Sequence, residues 1–212
     1  CMADFCVLPV SNLLEVPAGI SDDRAVMNEP LSAACEIIAQ LPLAGTERVI
    51  VLGDGRLGIL CAWVLSTIVR DVTIAGHHPE KLETAKWRAI RTALNAEGVE
   101  PGADVVVEAS GSEKGNAEAI RLCRPRGTII LKSTVASQGS VNLTPVVVNE
   151  ISIIGSRCGL SEEGMGMLKR YPDMAVEKLI TVRYPIEEAV KAFEKAAGKE
   201  ALKVLIEINK RP

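Results

Sequence analysis

The chain of 212 residues has a net charge of −3 at pH 7, with 48% apolar, 24% charged and 3% aromatic residues. This length allows one domain with a full hydrophobic core, or one domain with a smaller companion. The mildly acidic balance and the scarcity of aromatic residues argue against nucleic acid or an anionic membrane as a partner. The longest apolar run, residues 57–69, is too short to cross a bilayer. We therefore expect a globular protein with neither a nucleic-acid nor a membrane partner.

The six cysteines are scattered along the chain and form no Cys-x-x-Cys pair. This spacing argues against a zinc ribbon, a redox dithiol or a disulfide scaffold, and it predicts reduced thiols in a cytoplasmic protein. The start of the sequence lacks the basic segment and apolar core of a signal peptide. Because the first residue is Cys1 and not methionine, we also expect that the sequence is a piece of a longer protein.

Two short elements precede the main pattern. Residues 5–9 are predicted to form a strand. Ser21 is a candidate cap for a helix that follows it, and Pro30 can open a second helix at its first turn. A proline and a glycine within residues 42–45 then indicate a break.

From residue 48 onward, apolar runs of strand length alternate with helical patterns. The predicted strands are residues 48–53, 71–76, 89–94, 104–110, 127–133 and 150–156, and the predicted helices are 56–68, one that opens at Pro79, and 113–124. Most of these runs are apolar on both faces, as parallel strands covered by helices on both sides must be. The alternation predicts an α/β fold with a doubly wound, six-stranded parallel sheet, the Rossmann arrangement.

The pattern changes after residue 159. A helix is predicted at residues 161–170, a strand at 178–185 and a last strand at 201–208. Between the two strands, apolar side chains at helical spacing predict one more helix, with Ile186, Ala189, Val190 and Phe193 on one face. These elements lie outside the alternating pattern and indicate a separate segment.

The turn Gly53-x-Gly55-x-x-Gly58 joins the first strand of the alternating pattern to a helix. In such a turn the first glycine allows the tight bend, the second lets a pyrophosphate approach the backbone, and the third lets helix and strand pack closely. Free amide groups and the dipole at the helix start favour the phosphates, and Arg56 and Leu57 belong to the same turn. We therefore expect a dinucleotide here; the alternatives are a structural turn or an S-adenosylmethionine site.

The second strand ends with Gly76, followed by His77 and His78. An NAD site has a carboxylate at this place, which accepts hydrogen bonds from the adenosine ribose. Gly76 provides none, so no carboxylate would repel the 2′-phosphate of NADP, and both histidines are donors near that phosphate. Arg56 and Lys81 are further cations in the same region. The sequence therefore predicts NADP in preference to NAD; the alternative is that either imidazole covers the adenine or faces solvent.

Several motifs resemble a known family, in the family's order and over nearly the whole chain. They are LPVSNLLEVPAGISDDRAV, NEPLSAACEI, VLGDGRLGIL, ADVVVEASGS, RPRGTIIL, VVNEISIIGSRCG and ALKVLIEI. The chain resembles the zinc-dependent alcohol dehydrogenase branch of the medium-chain dehydrogenase/reductases, in the company of sorbitol and threonine dehydrogenases. The resemblance implies that residues 1–43 are the remnant of a GroES-like catalytic domain with connecting helices, that 44–157 are the Rossmann domain, and that 158–212 return towards the catalytic domain.

In that family, a catalytic zinc polarises an alcohol or carbonyl oxygen while hydride passes to or from the nicotinamide. The zinc ligands typically include a Cys and a Gly-His-Glu segment in the first third of the family's chain, which is missing from this sequence. Glu29 matches a residue at the catalytic zinc of sorbitol-dehydrogenase-like relatives, but zinc needs three protein ligands. The alternative for Glu29 is a charge at a helix end. We expect zinc in the complete protein, and no catalytic residue in this chain alone.

The resemblance also implies cofactor contacts at three further strand ends. They are Ala109, Ser110 and Gly111 beside the nicotinamide ribose, and Leu131, Lys132, Ser133, Gly155, Ser156 and Arg157 near the carboxamide. Ordinary packing at strand ends is the alternative for all of them, and Arg157 could instead bind a phosphate.

The function that the resemblance implies is an oxidoreductase that transfers hydride between NADP, or NAD, and a small alcohol, polyol or carbonyl compound. This chain would supply the part that binds the cofactor. The alternatives are a zinc-independent reductase of the same superfamily and a non-catalytic dinucleotide-binding module. Family members commonly form dimers or tetramers through a sheet edge, so we expect a homo-oligomer with residues 150–156 as that edge.

Overall fold

A computed structural model describes residues 3, 5–134 and 141–208. The chain divides into two compact units, one of residues 29–164 and one that combines residues 1–28 with 165–212. The sequence predicted boundaries after residues 43 and 157, so the larger unit extends further at both ends than expected.

The elements follow one another in the predicted alternation. The strands are β1 (Arg48–Leu52), β2 (Asp71–Gly76), β3 (Arg91–Leu94), β4 (Ala103–Glu108), β5 (Cys123–Leu131), β6 (Ser152–Gly155), β7 (Ile180–Pro185) and β8 (Lys203–Glu207). The α-helices are α1 (Asp22–Ala25), α2 (Asn28–Gln40), α3 (Arg56–Ser66), α4 (Pro79–Ala85), α5 (Gly115–Leu122), α6 (Thr144–Val148), α7 (Ser161–Arg170) and α8 (Ala189–Ala197). Short 3-10 helices lie at Val10–Asn12, Val176–Leu179 and Ile186–Glu188.

Six parallel strands form the sheet of the larger unit, in the order β3-β2-β1-β4-β5-β6. The predicted doubly wound sheet is therefore confirmed. The central strands are apolar and buried on both faces, with Ile50, Val106 and Ile130 fully buried, because helices cover the sheet on both sides. The register places Leu52 opposite both Ala75 and Glu108, so the carboxyl ends of the strands meet at one edge of the sheet.

The larger unit includes α2 because this helix packs against the loop that follows β6. A Cβ atom on Gly159 would lie 2.0 Å from the carbonyl oxygen of Ser32. The ammonium of Lys132, just after β5, donates to the carbonyl oxygen of Ala33 at 2.6 Å. Sequence periodicity predicted the helix but gave no information on which unit it packs against.

The predicted strand at residues 5–9 is wrong. These residues form no regular element in the structure and lead into the 3-10 helix at Val10–Asn12. The side chains of Phe5 and Val7 are 92% and 98% exposed. A strand needs a hydrogen-bonded partner, and none of the strands in the described part of the chain pairs with this segment.

Two further differences concern the ends and the number of helices. The structure has a helix at Thr144–Val148 that the sequence did not predict. Helix α3 ends at Ser66, two residues early, and the amides of Thr67 and Ile68 bond to carbonyl oxygens three residues back instead of four.

The smaller unit contains a two-stranded parallel sheet of β7 and β8, with α8 between them along the chain. Ala192 is the buried residue of α8, whereas Val190 and Phe193 are exposed. The predicted apolar face of this helix is therefore covered only in part within the described residues.

Five cysteines lie in the described part of the chain, and all five are free thiols. Burial raises the pKa of Cys35 and of Cys61 to about 12, and that of Cys123 to about 11. These thiols therefore remain protonated at neutral pH and pack as small apolar side chains. Among the described helices, none combines the length and the apolar character that crossing a membrane requires.

Arg24 of α1 links two segments of the smaller unit that are far apart in sequence. Its guanidinium donates to the carbonyl oxygens of Met174, Tyr171 and Leu168 at 2.9, 3.2 and 3.3 Å. It also lies 3.2 Å from a carboxylate oxygen of Glu177. Leu168 belongs to the last turn of α7, where the helix dipole favours a cation.

We predict that Arg24→Met lowers the free energy of unfolding by about 1–3 kcal/mol, because it leaves several carbonyl oxygens without their donor. Urea denaturation followed by circular dichroism measures the change. Lys191→Met is the matched control, since Lys191 is an exposed cation whose partner is Glu188 on the protein surface. Equal, small losses in both variants would contradict this account of Arg24.

Candidate functional site

The candidate site lies at the carboxyl edge of the six-stranded sheet. Leu52 of β1 is paired with Glu108 of β4, which is paired with Leu131 of β5, which is paired with Gly155 of β6. In the sheet, β2 and β3 lie on one side of β1, and β4, the next strand along the chain, lies on the other side of β1. In open parallel sheets, ligands bind at the carboxyl end where the strand order reverses in this way. That point is the turn from Gly53 to Gly58.

Two glycines of this turn are required by the fold itself. Gly53 has a φ angle of 112°, and a Cβ atom on it would lie 2.5 Å from the carbonyl oxygen of Ala109. A Cβ atom on Gly58 would lie 2.0 Å from the carbonyl oxygen of Gly53. Helix α3 therefore packs directly on the backbone of the turn, at a distance that only glycine permits.

Gly55 is different, because neither its backbone nor its neighbours in the protein require glycine. Its φ angle of −72° is open to any residue. A Cβ atom on Gly55 would meet nothing within 4 Å. Gly55 is exposed and stands at the N-cap of α3, which no side chain caps. The turn thus leaves an open space at the positive end of an eleven-residue helix, where an anion would be stabilised.

The end of β2 carries a carboxylate, contrary to the sequence-based expectation, which is therefore wrong on this point. The carboxylate belongs to Asp54 of the glycine turn and not to residue 76. A Cβ atom on Gly76 would lie 2.4 Å from both the Cβ and the Oδ2 atoms of Asp54. Asp54 Oδ2 accepts hydrogen bonds from the backbone amides of His77 and His78, both at 2.7 Å.

Both imidazoles are fixed through their Nδ1 atoms. Nδ1 of His78 lies 3.0 Å from Oδ2 and 3.1 Å from Oδ1 of Asp54, and since a carboxylate only accepts, this nitrogen carries the hydrogen. Nδ1 of His77 lies 2.6 Å from the side-chain oxygen of Asn95. His77 is exposed and His78 is half-buried. Each ring therefore has Nε2 as the nitrogen left for a ligand.

Asp54 is held as an anion. Its burial favours the neutral acid, but the hydrogen bonds from His78 and His77 outweigh this effect and lower the pKa of the carboxyl below its ordinary value. Only 9% of the side chain is exposed. The charge is therefore directed into the protein, towards the two amides and one imidazole.

A hydroxyl network organises the end of β4. Glu108 is 2% exposed, and its Oε1 accepts hydrogen bonds from the amide and the hydroxyl of Ser110 at 2.9 and 2.5 Å. The Ser110 hydroxyl lies 3.0 Å from that of Ser112, and the amide of Gly111 donates to the hydroxyl of Ser133 at 2.8 Å. Ser110 and Gly111 are exposed, so the predicted ribose contacts lie at an open edge of the sheet.

Lys132 faces into the protein. Its ammonium donates to the carbonyl oxygens of Ala33 and Arg157 at 2.6 and 2.9 Å, and to the hydroxyl of Ser156 at 3.0 Å. Burial lowers the pKa of this ammonium. Because three donated hydrogen bonds satisfy an ammonium fully, the side chain of Lys132 ties α2 to the ends of β5 and β6. Its role in cofactor binding stays a prediction and would have to involve its backbone.

The other predicted site residues lie in different surroundings. Arg56 and Leu57 occupy the first turn of α3 and are half-buried, and Arg157 and Gly155 are exposed. Lys81 is 6% exposed, so the structure does not present it as a cation facing solvent. The roles of these residues stay predictions.

Glu29 is exposed in the first turn of α2. Within the described ranges, no cluster of three or more histidine, cysteine, aspartate or glutamate side chains is arranged to hold a metal ion. A catalytic zinc needs three protein ligands, so the described residues do not fit this metal.

Sequence reasoning missed Asp54 and Glu108 as members of the site. Asp54 stands between two glycines of the turn, but the sequence does not show that its side chain packs against Gly76 of the neighbouring strand. Glu108 is an acidic residue at the end of an otherwise apolar buried strand, which is a costly position unless the carboxylate is hydrogen-bonded.

Comparisons with known proteins find relatives that match nearly the whole chain. The family model described as "Glucose dehydrogenase C-terminus" matches residues 23–208. The sorbitol dehydrogenase of Halalkalibacterium halodurans is 29% identical over 96% of this chain and 64% of its own length. This chain therefore spans about two-thirds of the length of that relative.

Two solved structures with bound cofactors share the fold. Staphylococcus aureus TarJ in complex with NADPH has a TM-score of 0.84 and 19% identity, over 97% of this chain and 70% of TarJ. A short chain alcohol dehydrogenase from Escherichia coli CFT073 complexed with NADH has a TM-score of 0.79 and 22% identity, over 95% of this chain and 64% of that protein. At these identities the similarity shows the fold alone.

We predict that Asp54→Asn makes the stability of the protein less sensitive to acid. Because the folded-state pKa of Asp54 is depressed, its ionised form stabilises the fold above the ordinary pKa of about 4, and this contribution is lost as the pH falls through the lower, folded-state pKa. The difference in free energy of unfolding between wild type and variant should shrink from pH 7 to about pH 2.5. Urea unfolding at several pH values measures it, with the exposed Glu83→Gln as control. A difference that is constant with pH would contradict the assignment.

Proposed function

Because the chain belongs to the glucose dehydrogenase C-terminus family, within the medium-chain dehydrogenase/reductases, we propose that it is the cofactor-binding part of an alcohol dehydrogenase-like oxidoreductase. The proposed reaction is hydride transfer between NADP, or less favourably NAD, and a small alcohol, polyol or carbonyl compound. The observation that carries the proposal is the open space beside Gly55 at the start of α3. When bound, the nicotinamide cofactor supplies the hydride chemistry, and this chain supplies its binding and orientation.

The glycine turn supports a pyrophosphate as the ligand. Gly53 and Gly58 are explained by contacts within the protein, but Gly55 is not. A side chain at Gly55 would extend into the space that the amides of the first turn of α3 border. We propose that the pyrophosphate occupies this space and accepts hydrogen bonds from those amides. From there the cofactor would extend to the histidines after β2 on one side and to the end of β4 on the other.

The preference for NADP is the finer part of the proposal. The carboxylate of Asp54 is buried and bonded to protein donors, so it does not stand at the surface as a ribose acceptor. His77 and His78 are the groups that remain at the end of β2, each with Nε2 available. A 2′-phosphate would meet these imidazoles and favour their protonated, donating form. Both NADPH and NADH occur among the structural neighbours.

The nicotinamide end is proposed to lie at the exposed backbone of Ser110 and Gly111, beside the hydroxyl of Ser133. The described residues do not fit a zinc ion, and no catalytic role is assigned to Glu29 or to any other residue of this chain. We propose that zinc, if the complete protein uses it, is held by residues outside the described part.

The proposed complete protein also contains a catalytic domain. Residues 5–16 support this, because several of their apolar side chains, including Phe5, Val7 and Val10, are exposed in the structure. We propose that this segment and the unit it belongs to are parts of that domain. The free thiols of the described cysteines support a cytoplasmic protein.

We propose further that the protein forms a homodimer or homotetramer through the edge strand β6. Within the described sheet β6 pairs with β5 alone, so its other side is a strand edge, at which Gln40 donates to the carbonyl oxygen of Gly155 at 3.4 Å. Exposed apolar side chains lie on and just before this edge, at Leu143, Val147, Val148 and Ile153. Continuation of the sheet across a second copy would cover the strand edge.

The direct test is a titration of the 212-residue chain with NADPH and with NADH, followed by the fluorescence of the reduced nicotinamide. We expect both to bind, and NADPH to bind more tightly. Gly55→Ala should lower the affinity for both cofactors at least about tenfold, which corresponds to about 1.4 kcal/mol, because its methyl group would enter the pyrophosphate space. The melting temperature should not fall, since the added atom meets no protein atom.

Two further variants separate binding from folding. Gly58→Ala should lower the melting temperature itself, because its Cβ atom would collide with the backbone of Gly53. Gly166→Ala in α7 is the control, because the added atom also meets nothing within 4 Å. This variant should lower neither the cofactor affinity nor the melting temperature. Absence of binding to either cofactor would refute the proposed function. Unchanged affinity in Gly55→Ala would refute the proposed place of the pyrophosphate.

A further inference from the structure

Asp54 and Gly76 share one volume at the end of β2. Gly76 does not adopt the left-handed backbone conformation that favours glycine. A Cβ atom on it would nevertheless lie 2.4 Å from the Cβ atom of Asp54, which is not the flexible end of a side chain. The side chain of Asp54 therefore requires glycine at position 76, and a side chain at position 76 would require the removal of Asp54.

The same carboxylate fixes the backbone and one ring of the two histidines. Its Oδ2 accepts the amides of His77 and His78 at 2.7 Å and lies 3.0 Å from Nδ1 of His78. Asn95, which follows β3, holds Nδ1 of His77 at 2.6 Å. The direction in which both rings present Nε2 is thus set by hydrogen bonds within the protein.

We propose that Asp54 is the positioning residue that sets the preference for NADP over NAD, by turning its own carboxylate away from the ribose and holding both histidines ready for a 2′-phosphate. This inference rests on the proposed function. In the usual NAD site, a carboxylate at the end of the second strand accepts the ribose hydroxyls. Here the carboxylate comes from the glycine turn and accepts the amides after β2 instead. Asp54 therefore has two effects: it excludes a carboxylate side chain at position 76, where an NAD site has one, and it orients the two histidines that would bind the 2′-phosphate.

The first experiment compares Asp54→Asn with wild type, by fluorescence titration with NADPH and NADH. Asparagine keeps the size of the side chain and one acceptor oxygen for the amides and for Nδ1 of His78, but it removes the negative charge and places an NH2 donor where Oδ1 lies 3.1 Å from that nitrogen. We expect the ratio of the dissociation constant for NADH to that for NADPH to fall by about tenfold, through loss of NADPH affinity. If the role of Asp54 is purely structural, the affinity for NADPH and the affinity for NADH should fall by the same factor. A larger loss for NADH would identify Asp54 as the ribose acceptor. Either result would overturn the inference.

The second experiment is a double-mutant cycle at positions 54 and 76. Gly76→Ala should lower the melting temperature by several degrees in the wild-type background, and should have no such effect after Asp54→Gly, where the volume is empty. In the Asp54→Gly background, Gly76→Asp would place a carboxylate where an NAD site has one, and NADH should then bind more tightly than NADPH. Gly166→Ala again serves as the control for a glycine with free space.

The cofactor dissociation constants and the melting temperatures together distinguish a failure of this inference from a failure of the proposed function on which it rests. If the wild-type chain binds neither cofactor, the proposed function fails and the inference fails with it, whatever the melting temperatures show. If the wild type binds NADPH but Gly76→Ala is equally harmful in both backgrounds, the proposed function stands and the shared volume is refuted. If the cycle shows coupling but the cofactor ratio does not change, Asp54 is structural and does not set the preference.

Discussion

The site depends on one close contact, between the start of α3 and the carbonyl oxygen of Gly53. A Cβ atom on Gly58 would lie 2.0 Å from this oxygen, so the helix stands against the end of β1 at a distance that a larger residue would not allow. This contact directs the first-turn amides of α3 to the place where the strand order of the sheet reverses. It also leaves Gly55, whose side-chain space is open, as the residue that faces any ligand. Phosphate binding then needs no charged side chain in the turn itself.

The same turn determines the chemistry of the neighbouring strand end. Because Gly53 bends the chain, Asp54 lies over β2, and its carboxylate binds the amides of His77 and His78. An anion in this place is stabilised by the donors around it, which lower the pKa of its carboxyl although burial opposes ionisation. On the other side of β1, Glu108 plays a comparable part for the exposed loop of Ser110. Two buried carboxylates thus order the loops on either side of the proposed pyrophosphate position.

The order of strands and helices could be read from the sequence because it depends on local patterns. Buried parallel strands such as β1 and β4 are short apolar runs, and the spacing of Gly53, Gly55 and Gly58 between an apolar run and a helical pattern is typical of a strand–turn–helix unit. Contacts between residues far apart in sequence could not be read in the same way. Nothing local indicates that Asp54 would fill the volume beside Gly76, or that Lys132 would donate to Ala33 across the α2 packing surface. The segment at residues 5–9 was predicted as a strand because strand propensity is local, whereas a strand partner is not.

The most direct test of the account is a crystal structure of this chain with NADPH bound. The pyrophosphate should lie beside Gly55, within hydrogen-bonding distance of the first-turn amides of α3. The 2′-phosphate should lie at the imidazoles of His77 and His78, with the Asp54 carboxylate still bonded to their backbone amides. A pyrophosphate bound elsewhere, or an Asp54 carboxylate turned outward to accept the ribose hydroxyls, would contradict it.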